Sequence, residues 1–201
     1  KKGDDFVHNK PRAVAPLERI APPDRDSRLW SGYHIHGMPF DFAETSRGCT
    51  LPCSFCSITQ MYGRNFRSYA MERVLDDLQR ACSQGTKEIF FTDDNINLQP
   101  GHLEALCEGM VNRGLHKGVG YSTQASVTGL HRNLSVIESM AEAGFELVFL
   151  GIENVSKRNL RRYKKGDIVD MTKEVIRELH RNHIMIMGGF VLGAPEDTEQ
   201  D

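Results

Sequence analysis

The chain has 201 residues, of which 39% are hydrophobic and 26% charged, so it is long enough for one domain with a buried core. Its formal net charge of −2 gives no sign of a surface dedicated to nucleic acid or to anionic membranes. No apolar run approaches the ~20 residues that span a bilayer, and no signal-peptide pattern opens the chain. We therefore expect a cytoplasmic protein whose cysteines stay reduced.

Residues 1–39 hold prolines among scattered charges and show no sustained hydrophobic period. This composition predicts a Pro-rich linker or an arm that packs on something else. A regular pattern begins at residue 40, and we predict a folded domain over residues 40–201. The chain begins at Lys1 without a methionine and ends at Asp201 just after a Gly-Ala-Pro-Glu turn. We therefore expect a fragment whose domain is truncated at its C-terminal end.

Strand and helix patterns alternate from residue 40 onward. The predicted strands cover residues 40–45, 88–92, 118–127, 145–152 and 184–192. The predicted helices cover residues 69–83, 101–112, 134–143, 156–165 and 170–182, the first with Ser68 as its N-cap and Gly85 after its end. This alternation argues for a parallel sheet with crossover helices, which leaves a doubly wound sheet and a (β/α) barrel open. In both folds, functional side chains gather at the carboxyl ends of the strands.

Three of the five cysteines stand within eight residues, in the run Cys49-Thr-Leu-Pro-Cys53-Ser-Phe-Cys56. Thiolates are the ligands of iron–sulfur clusters, and a cubane cluster with three cysteine ligands has one iron left open. An open position is what a metal site needs if a substrate is to bind to it. The spacing therefore predicts a catalytic cluster on these three cysteines.

Two other readings of the cysteine run stay open at this point. Cys53 and Cys56 alone form a C-x-x-C pair, as in thiol oxidoreductases, although this leaves Cys49 unexplained. A structural zinc ion needs a fourth ligand, which His34 or His36 could supply. The remaining cysteines, Cys82 and Cys107, lie on the apolar faces of predicted helices and are expected to be small core residues.

The run from Cys49 to Cys56, with the aromatic Phe55 before its last cysteine, resembles the signature of the radical S-adenosylmethionine (SAM) superfamily. The resemblance implies that Cys49, Cys53 and Cys56 hold a [4Fe–4S] cluster and that Phe55 lies near the adenine of SAM. It also implies that the amino and carboxylate groups of SAM chelate the fourth iron. One-electron reduction then cleaves SAM to methionine and a 5′-deoxyadenosyl radical, which abstracts hydrogen from the substrate.

Three further stretches resemble motifs of the same superfamily. The stretch Gly189-Phe-Val191-Leu-Gly193-Ala-Pro-Glu196 resembles the GxIxGxxE motif that supports the adenine. Glu153, in Leu-Gly-Ile-Glu-Asn, resembles the polar residue that meets the ribose at the end of the fourth strand. The triplet Asp93-Asp94-Asn95 stands where many members carry a GGE motif for the methionine amino group, and it departs from that motif. In the third predicted strand, Gln124 or Ser126 is expected to face the cavity, whereas Lys164 and Lys165 are expected to form a solvated helix end.

The triplet and the sequence Ser46-Arg47-Gly48 before Cys49 resemble the branch that carries an N-terminal cobalamin-binding domain. The cobalamin signature Asp-x-His-x-x-Gly is absent from these residues, so such a domain would have to lie upstream of Lys1. The resemblance implies an α/β fold, an incomplete (β/α) barrel (a partial TIM barrel) of five readable parallel strands.

The resemblance implies a radical SAM enzyme that belongs to a cobalamin-dependent methylase or cyclase, acts on a small-molecule substrate and draws electrons from flavodoxin or ferredoxin. The alternative within the superfamily is a cobalamin-independent methylthiotransferase. Outside it, an iron–sulfur electron carrier or a C-x-x-C thiol oxidoreductase are the other possibilities. A carrier would need a fourth cysteine ligand.

Overall fold

The computed structural model describes residues 6, 8–10, 13–29, 32–35, 37–194 and 197. The strands of this part of the chain are β1 (His34–Ile35), β2 (Met38–Ala43), β3 (Ser46–Arg47), β4 (Arg67–Ser68), β5 (Glu88–Phe91), β6 (Gly120–Ser126), β7 (Phe145–Glu153) and β8 (Met185–Phe190). The helices are α1 (Ile58–Tyr62), α2 (Met71–Ser83), α3 (Pro100–Asn112), α4 (Val127–Arg132), α5 (Val136–Glu142), α6 (Lys157–Arg162) and α7 (Val169–Arg181). Two single turns of 3₁₀ helix, Leu17–Arg19 and Arg25–Ser27, precede them. None of the described helices is long and apolar enough to cross a membrane.

The main sheet has the strand order β1-β2-β5-β6-β7-β8. Strands β2, β5, β6, β7 and β8 are parallel, and β1 joins the outer edge of β2 as a short antiparallel hairpin. Each parallel strand lies beside the one that precedes it along the chain. A doubly wound sheet would reverse this order at a switch point, whereas a (β/α) barrel keeps it. The fold is therefore a partial (β/α) barrel, which confirms the prediction and closes the alternative that the strand pattern left open.

The core lies between the sheet and the helices that cover it. Side chains of a strand alternate between the two faces of the sheet, and the helix-side residues Ile89, Phe91, Tyr121, Val148 and Leu150 are all fully buried. The ring of Phe91 stacks on that of Tyr121 at 5.8 Å between ring centroids. Burial of each large side chain contributes roughly 1.5–3 kcal/mol. The helix-side layer therefore supports the strands whose ends carry the functional residues.

Residues 13–29 pack on the domain through one apolar and one charged side chain. Leu17 is 1% exposed and belongs to the main hydrophobic core. The buried guanidinium of Arg25 donates to both carboxylate oxygens of Asp77, at 2.8 and 2.7 Å, and to Asp41 at 2.6 Å. These contacts attach the predicted arm to α2 and β2. Residues 13–35 show no hydrophobic period in the sequence, because their single turns of helix and their two-residue strand are too short to produce one.

Several predicted boundaries were wrong. Helix α2 begins at Met71 with Ala70 as N-cap, and Ser68 lies instead in β4, where it pairs with Ser46 of β3. Val127, predicted as the end of a strand, opens α4, because the Ser126 hydroxyl caps that helix by accepting from the Gly129 N–H at 3.3 Å. Gly85, with φ of +86°, follows the end of α2 as predicted.

We expect Arg25→Ala to lower the free energy of unfolding by about 3–5 kcal/mol, because it leaves the buried carboxylate of Asp77 without its cation and leaves Asp41 with Arg28 alone. Chemical denaturation followed by circular dichroism measures the loss. The control is Arg113→Ala, which removes ion pairs to the exposed carboxylates Glu72 and Asp76 and should change stability little. Equal effects of the two substitutions would contradict the anchoring role of Arg25.

Candidate functional site

A cavity of about 290 Å³ lies at the carboxyl ends of the parallel strands. Most of the residues singled out from the sequence line it: Cys49, Cys53, Phe55, Cys56, Asp94, Asn95, Gln124 and Glu153. They come from four separate stretches of the chain, which only the parallel sheet brings together. Within the part of the chain that the structure describes, this cavity is therefore the candidate functional site.

The cysteine loop (residues 48–57) runs from β3 to α1 and carries three free thiols. Cys49 is buried, and Cys53 and Cys56 are half-buried. Gly48 fixes the entry to the loop, because its φ is +89° and a Cβ on it would lie 2.3 Å from the backbone oxygen of Asn65. Any other residue at position 48 would displace the loop.

Asp93 lies behind the cysteine loop and is 0% exposed. Its carboxylate accepts the N–H of Thr45 at 2.9 Å, the hydroxyl of Thr45 at 2.5 Å and the hydroxyl of Ser46 at 2.5 Å. Burial raises the pKa of this carboxyl group to about 6, although the three hydrogen bonds partly offset that effect. Asp93 does not line the cavity, so it holds the lead-in to the loop instead of facing the space where a ligand would bind.

Asp94 and Asn95, the next two residues of the triplet, also contact the cysteine loop and lie closer to the thiols. Asp94 accepts the backbone N–H of Gly48 at 2.7 Å. The side-chain nitrogen of Asn95 lies 3.8 Å from the sulfur of Cys49 and 3.3 Å from the hydroxyl of Ser126. The Asn95 side-chain oxygen is buried and has no hydrogen-bond partner. The triplet that stands in place of the GGE motif therefore contacts the cysteine loop, through Asp94 and Asn95.

A second brace holds the other end of the cysteine loop. The N–H of Ser54 donates to the backbone oxygen of Tyr163 at 3.0 Å, and the Ser54 hydroxyl donates to the backbone oxygen of Arg162 at 3.1 Å. The ring of Phe55 meets that of Tyr163 edge-on, at 5.6 Å between centroids. Phe55 itself is 47% exposed at the cavity. The loop is therefore held between the turn after β5 and the end of α6.

Glu153 and Lys165 form an ion pair in the cavity wall, with 3.0 Å between the Lys165 Nζ and the Glu153 Oε1. Glu153 has a φ of +65°, uncommon for a residue with a side chain, and so marks a strained point at the end of β7. The Lys165 side chain is only 10% exposed, so its prediction as part of a solvated helix end was wrong. Burial raises the pKa of the nearby Cys53 thiol, and the positive charge of Lys165 partly offsets this.

Gln124 and Ser126 both line the cavity, because positions two apart on a strand share one face. Ser126 is held by Asn97, whose side-chain oxygen accepts the Ser126 N–H at 3.0 Å. Asn97 was not among the site residues predicted from the sequence. Its position shortly after the buried strand β5 was the one signal that could have indicated a place near the site.

The described part of the predicted adenine-supporting stretch, residues 189–194, lies beside the cavity but is not part of its wall. Gly189 packs against Phe149, which lines the cavity, and a Cβ at position 189 would lie 2.8 Å from that ring. Val191 donates its N–H to the backbone oxygen of Glu153 at 2.7 Å, and Gly193 has a φ of +81°. Glu196 lies outside the described residues.

In the described part of the chain, Cys82, Cys107 and His34 lie apart from the three cysteines of the loop. Cys107 is buried in the core, where burial raises its pKa to about 12, and Cys82 packs against the same core. His34 pairs with Pro39 at the amino end of β2, the opposite end of the sheet from the cysteine loop, and His36 lies outside the described residues. Within the described ranges, no three His, Cys, Asp or Glu side chains converge as the ligands of one metal ion would.

A family model described as the radical SAM superfamily matches residues 43–201. An uncharacterised methyltransferase of Pyrococcus horikoshii is 28% identical over 100% of this chain and 43% of its own length. The bacteriochlorophyllide d C-12(1)-methyltransferase of Chlorobaculum tepidum is 29% identical over 93% of this chain and 41% of its own length. The chain thus spans less than half the length of either relative.

Among solved structures, the fold is similar to that of TsrM, a radical SAM methyltransferase from Kitasatospora setae determined with cobalamin and a [4Fe–4S] cluster bound. The TM-score is 0.74 at 19% identity, and the match covers 82% of this chain and 33% of TsrM. This similarity concerns the fold alone. Because the family model covers most of the chain, the chain belongs to the radical SAM superfamily.

Proposed function

We propose that this chain is the core of a radical SAM enzyme in which Cys49, Cys53 and Cys56 ligate a [4Fe–4S] cluster. The observation that carries the proposal is the position of three free thiols on one braced loop, open to a cavity of about 290 Å³. When bound, the reduced cluster supplies the electron that cleaves SAM to methionine and a 5′-deoxyadenosyl radical.

The donor set fits such a cluster. Three free thiols on one loop suit a cubane cluster with one open iron, whereas a structural zinc ion needs four ligands around one point. The amide nitrogen of Asn95 lies 3.8 Å from the Cys49 sulfur, where it would tune the site.

The cavity walls offer groups suited to a zwitterionic, adenine-bearing cosubstrate. Glu153 presents a carboxylate that suits ribose hydroxyls, and Lys165 places a positive charge beside it. Phe55 offers an exposed ring face, and Gln124 a polar group on the strand floor. We propose that Asp94 and Asn95 meet the cosubstrate beside the loop, and that the backbone of Gly189, Val191 and Gly193 supports its adenine with Glu196. Asp93 acts as a positioning residue for the cysteine loop.

The larger enzyme is proposed to be a cobalamin-dependent methylase or cyclase of the cytoplasm. Two methyltransferase relatives, and the fold similarity to a methyltransferase with cobalamin bound, support the methylase part of this proposal. In this proposal residues 40–201 form the radical SAM core, residues 1–39 connect it to a cobalamin-binding domain, the substrate is a small molecule and flavodoxin or ferredoxin is the reductant.

Cysteine substitutions test the ligand assignment. We expect Cys49→Ala, Cys53→Ala and Cys56→Ala each to reduce the iron content from about four per chain to below about one after anaerobic reconstitution. The controls Cys82→Ala and Cys107→Ala should retain full iron and sulfide, because both thiols lie in or against the core. Loss of the cluster on changing Cys107 would overturn the assignment.

Adding SAM tests whether the cluster has an open iron. The electron paramagnetic resonance spectrum of the reduced protein should change on SAM addition. Glu153→Gln should keep the cluster but require about tenfold more SAM for the same change, since one charged hydrogen bond is worth about 1.5–3 kcal/mol. A fully loaded protein whose spectrum ignores SAM would favour an electron carrier.

Asp93→Asn tests the positioning role. We expect it to weaken iron retention by about 10–100-fold, as is typical when a residue that supports metal ligands is removed. Competition with a ferrous chelator measures the change, and melting of the iron-free protein separates it from a folding defect. Asp76→Asn, an exposed position on α2, is the matched control. Retention equal to that of the wild type would show that the Asp93 hydrogen bonds do not position the loop.

A further inference from the structure

The segment that follows β5 carries two asparagines, Asn95 and Asn97, that are almost completely buried at the carboxyl end of β6. They are 4% and 2% exposed, and Ser126, which contacts both, is 7% exposed. Asn95 and Ser126 line the cavity, whereas Asn97 lies behind them. The proposed function gives Asn95 a place beside the cysteine loop, but it leaves Asn97 without a role.

The backbone of Ser126 fixes the orientation of the Asn97 amide. The Asn97 side-chain nitrogen donates to the Ser126 backbone oxygen at 2.9 Å, and the Asn97 side-chain oxygen accepts the Ser126 N–H at 3.0 Å. A carbonyl oxygen can only accept and a backbone N–H can only donate, so the reversed amide would lose both hydrogen bonds. Gly129 leaves room for this amide, since a Cβ at position 129 would lie 2.6 Å from the Asn97 side-chain nitrogen.

The orientation of Asn97 decides where the one hydrogen of the Ser126 hydroxyl goes. That hydroxyl lies 3.2 Å from the Asn97 side-chain oxygen, which can only accept, so Ser126 is the donor of this bond. With its hydrogen used in this way, the Ser126 Oγ acts as an acceptor toward its other neighbours. It accepts the Gly129 N–H at 3.3 Å, and the Asn95 side-chain nitrogen lies at the same distance.

The accepting Ser126 hydroxyl in turn fixes the amide of Asn95. The Asn95 atom that faces the Ser126 Oγ is the nitrogen, which carries two hydrogens. Its second hydrogen is available to the Cys49 sulfur, 3.8 Å from that nitrogen. The Asn95 Oδ1 meets no hydrogen-bond donor in the part of the chain that the structure describes. The network thus places a donor, and not an acceptor, beside the sulfur.

We infer that Asn97 and Ser126 are positioning residues, which hold the Asn95 amide so that it donates to the Cys49 sulfur and raises the reduction potential of the cluster. This inference rests on the proposed function, because it concerns a cluster ligated by Cys49. Hydrogen bonds to a ligand sulfur favour the reduced form of an iron–sulfur cluster, because that form carries the additional negative charge. A rotated amide would instead place its oxygen beside the sulfur and favour the oxidised form.

Single substitutions test this inference in the protein that contains this chain, with its cluster reconstituted anaerobically. The measurement is a redox titration followed by electron paramagnetic resonance. We expect Asn97→Ala to lower the equilibrium constant for one-electron reduction about tenfold, which corresponds to a fall of about 59 mV in the reduction potential. Ser126→Ala should give a similar fall, whereas Ser126→Thr keeps the hydroxyl and should stay near the wild type. Asn112→Ala, at the exposed end of α3, is the matched control and should leave the potential unchanged.

A double-substitution cycle separates this role from a general structural one. Asn95→Leu should lower the potential by itself, and Asn97→Ala added to it should lower the potential no further, because the amide through which Asn97 acts is already gone. Pulsed electron paramagnetic resonance of protein with nitrogen-15 in its asparagine side chains gives a second readout. The reduced cluster should couple to the Asn95 nitrogen, and this coupling should disappear in Asn95→Leu and weaken in Asn97→Ala. Iron content and the melting of the iron-free protein show that each variant is folded and loaded.

A loaded Asn97→Ala protein with the wild-type potential would overturn the inference, as would an equal fall of the potential in the Asn95→Leu background. The wild-type protein also decides the point by itself, since the absence of a coupling from the Asn95 nitrogen would show that the amide does not donate to the sulfur. Failure of the proposed function is recognised separately, as the absence of iron and sulfide from the reconstituted wild type.

Discussion

The hydrogen bonds from the cysteine loop and the residues just before it to the two carboxylates that follow β5 are the interaction on which the site depends. A loop that carries ligands for a large inorganic group has few contacts of its own, and its backbone must be held by something rigid. Asp93 and Asp94 lie at the end of a buried strand, so the sheet fixes where they stand. Their hydrogen bonds to Thr45, Ser46 and Gly48 fix the backbone that leads to Cys49, the first thiol of the loop.

Such a brace has an energetic cost, because a carboxylate must be withdrawn from water. Burial raises the pKa of Asp93 to about 6, and three donors are needed to hold the group in place. The second brace, at Ser54, uses neutral backbone oxygens at the end of α6. The loop is thus held at one end by carboxylates that follow a strand and at the other by backbone oxygens at the end of a helix. These two sets of hydrogen bonds fix the loop while Cys53 and Cys56 remain partly exposed.

The sequence was sufficient to predict the parallel strands along the chain and the polar residues at their carboxyl ends, because hydrophobic runs and short polar triplets are local signals. The strand pattern left the order of the strands within the sheet open between a doubly wound sheet and a barrel. It was insufficient where the position depends on packing between distant segments. Lys165 was predicted to be solvated because it follows a charged helix. The backbone of Lys164, however, has a left-handed conformation with φ of +57°, and the Lys165 side chain lies in the cavity wall. Arg25 lay in a stretch without period, and only the folded domain supplies its two carboxylate partners. Asp93 and Asp94 are adjacent in sequence, yet only Asp94 lines the cavity, while the Asp93 carboxylate is buried against Thr45 and Ser46.

The central claim is that three cysteines of one braced loop hold a [4Fe–4S] cluster with an open iron. Mössbauer spectroscopy of protein reconstituted with iron-57 tests it most directly, since each iron site reports its own ligands. We expect SAM to shift the signal of one iron in about four and to leave the rest unchanged. Four irons that remain equivalent and indifferent to SAM would contradict it.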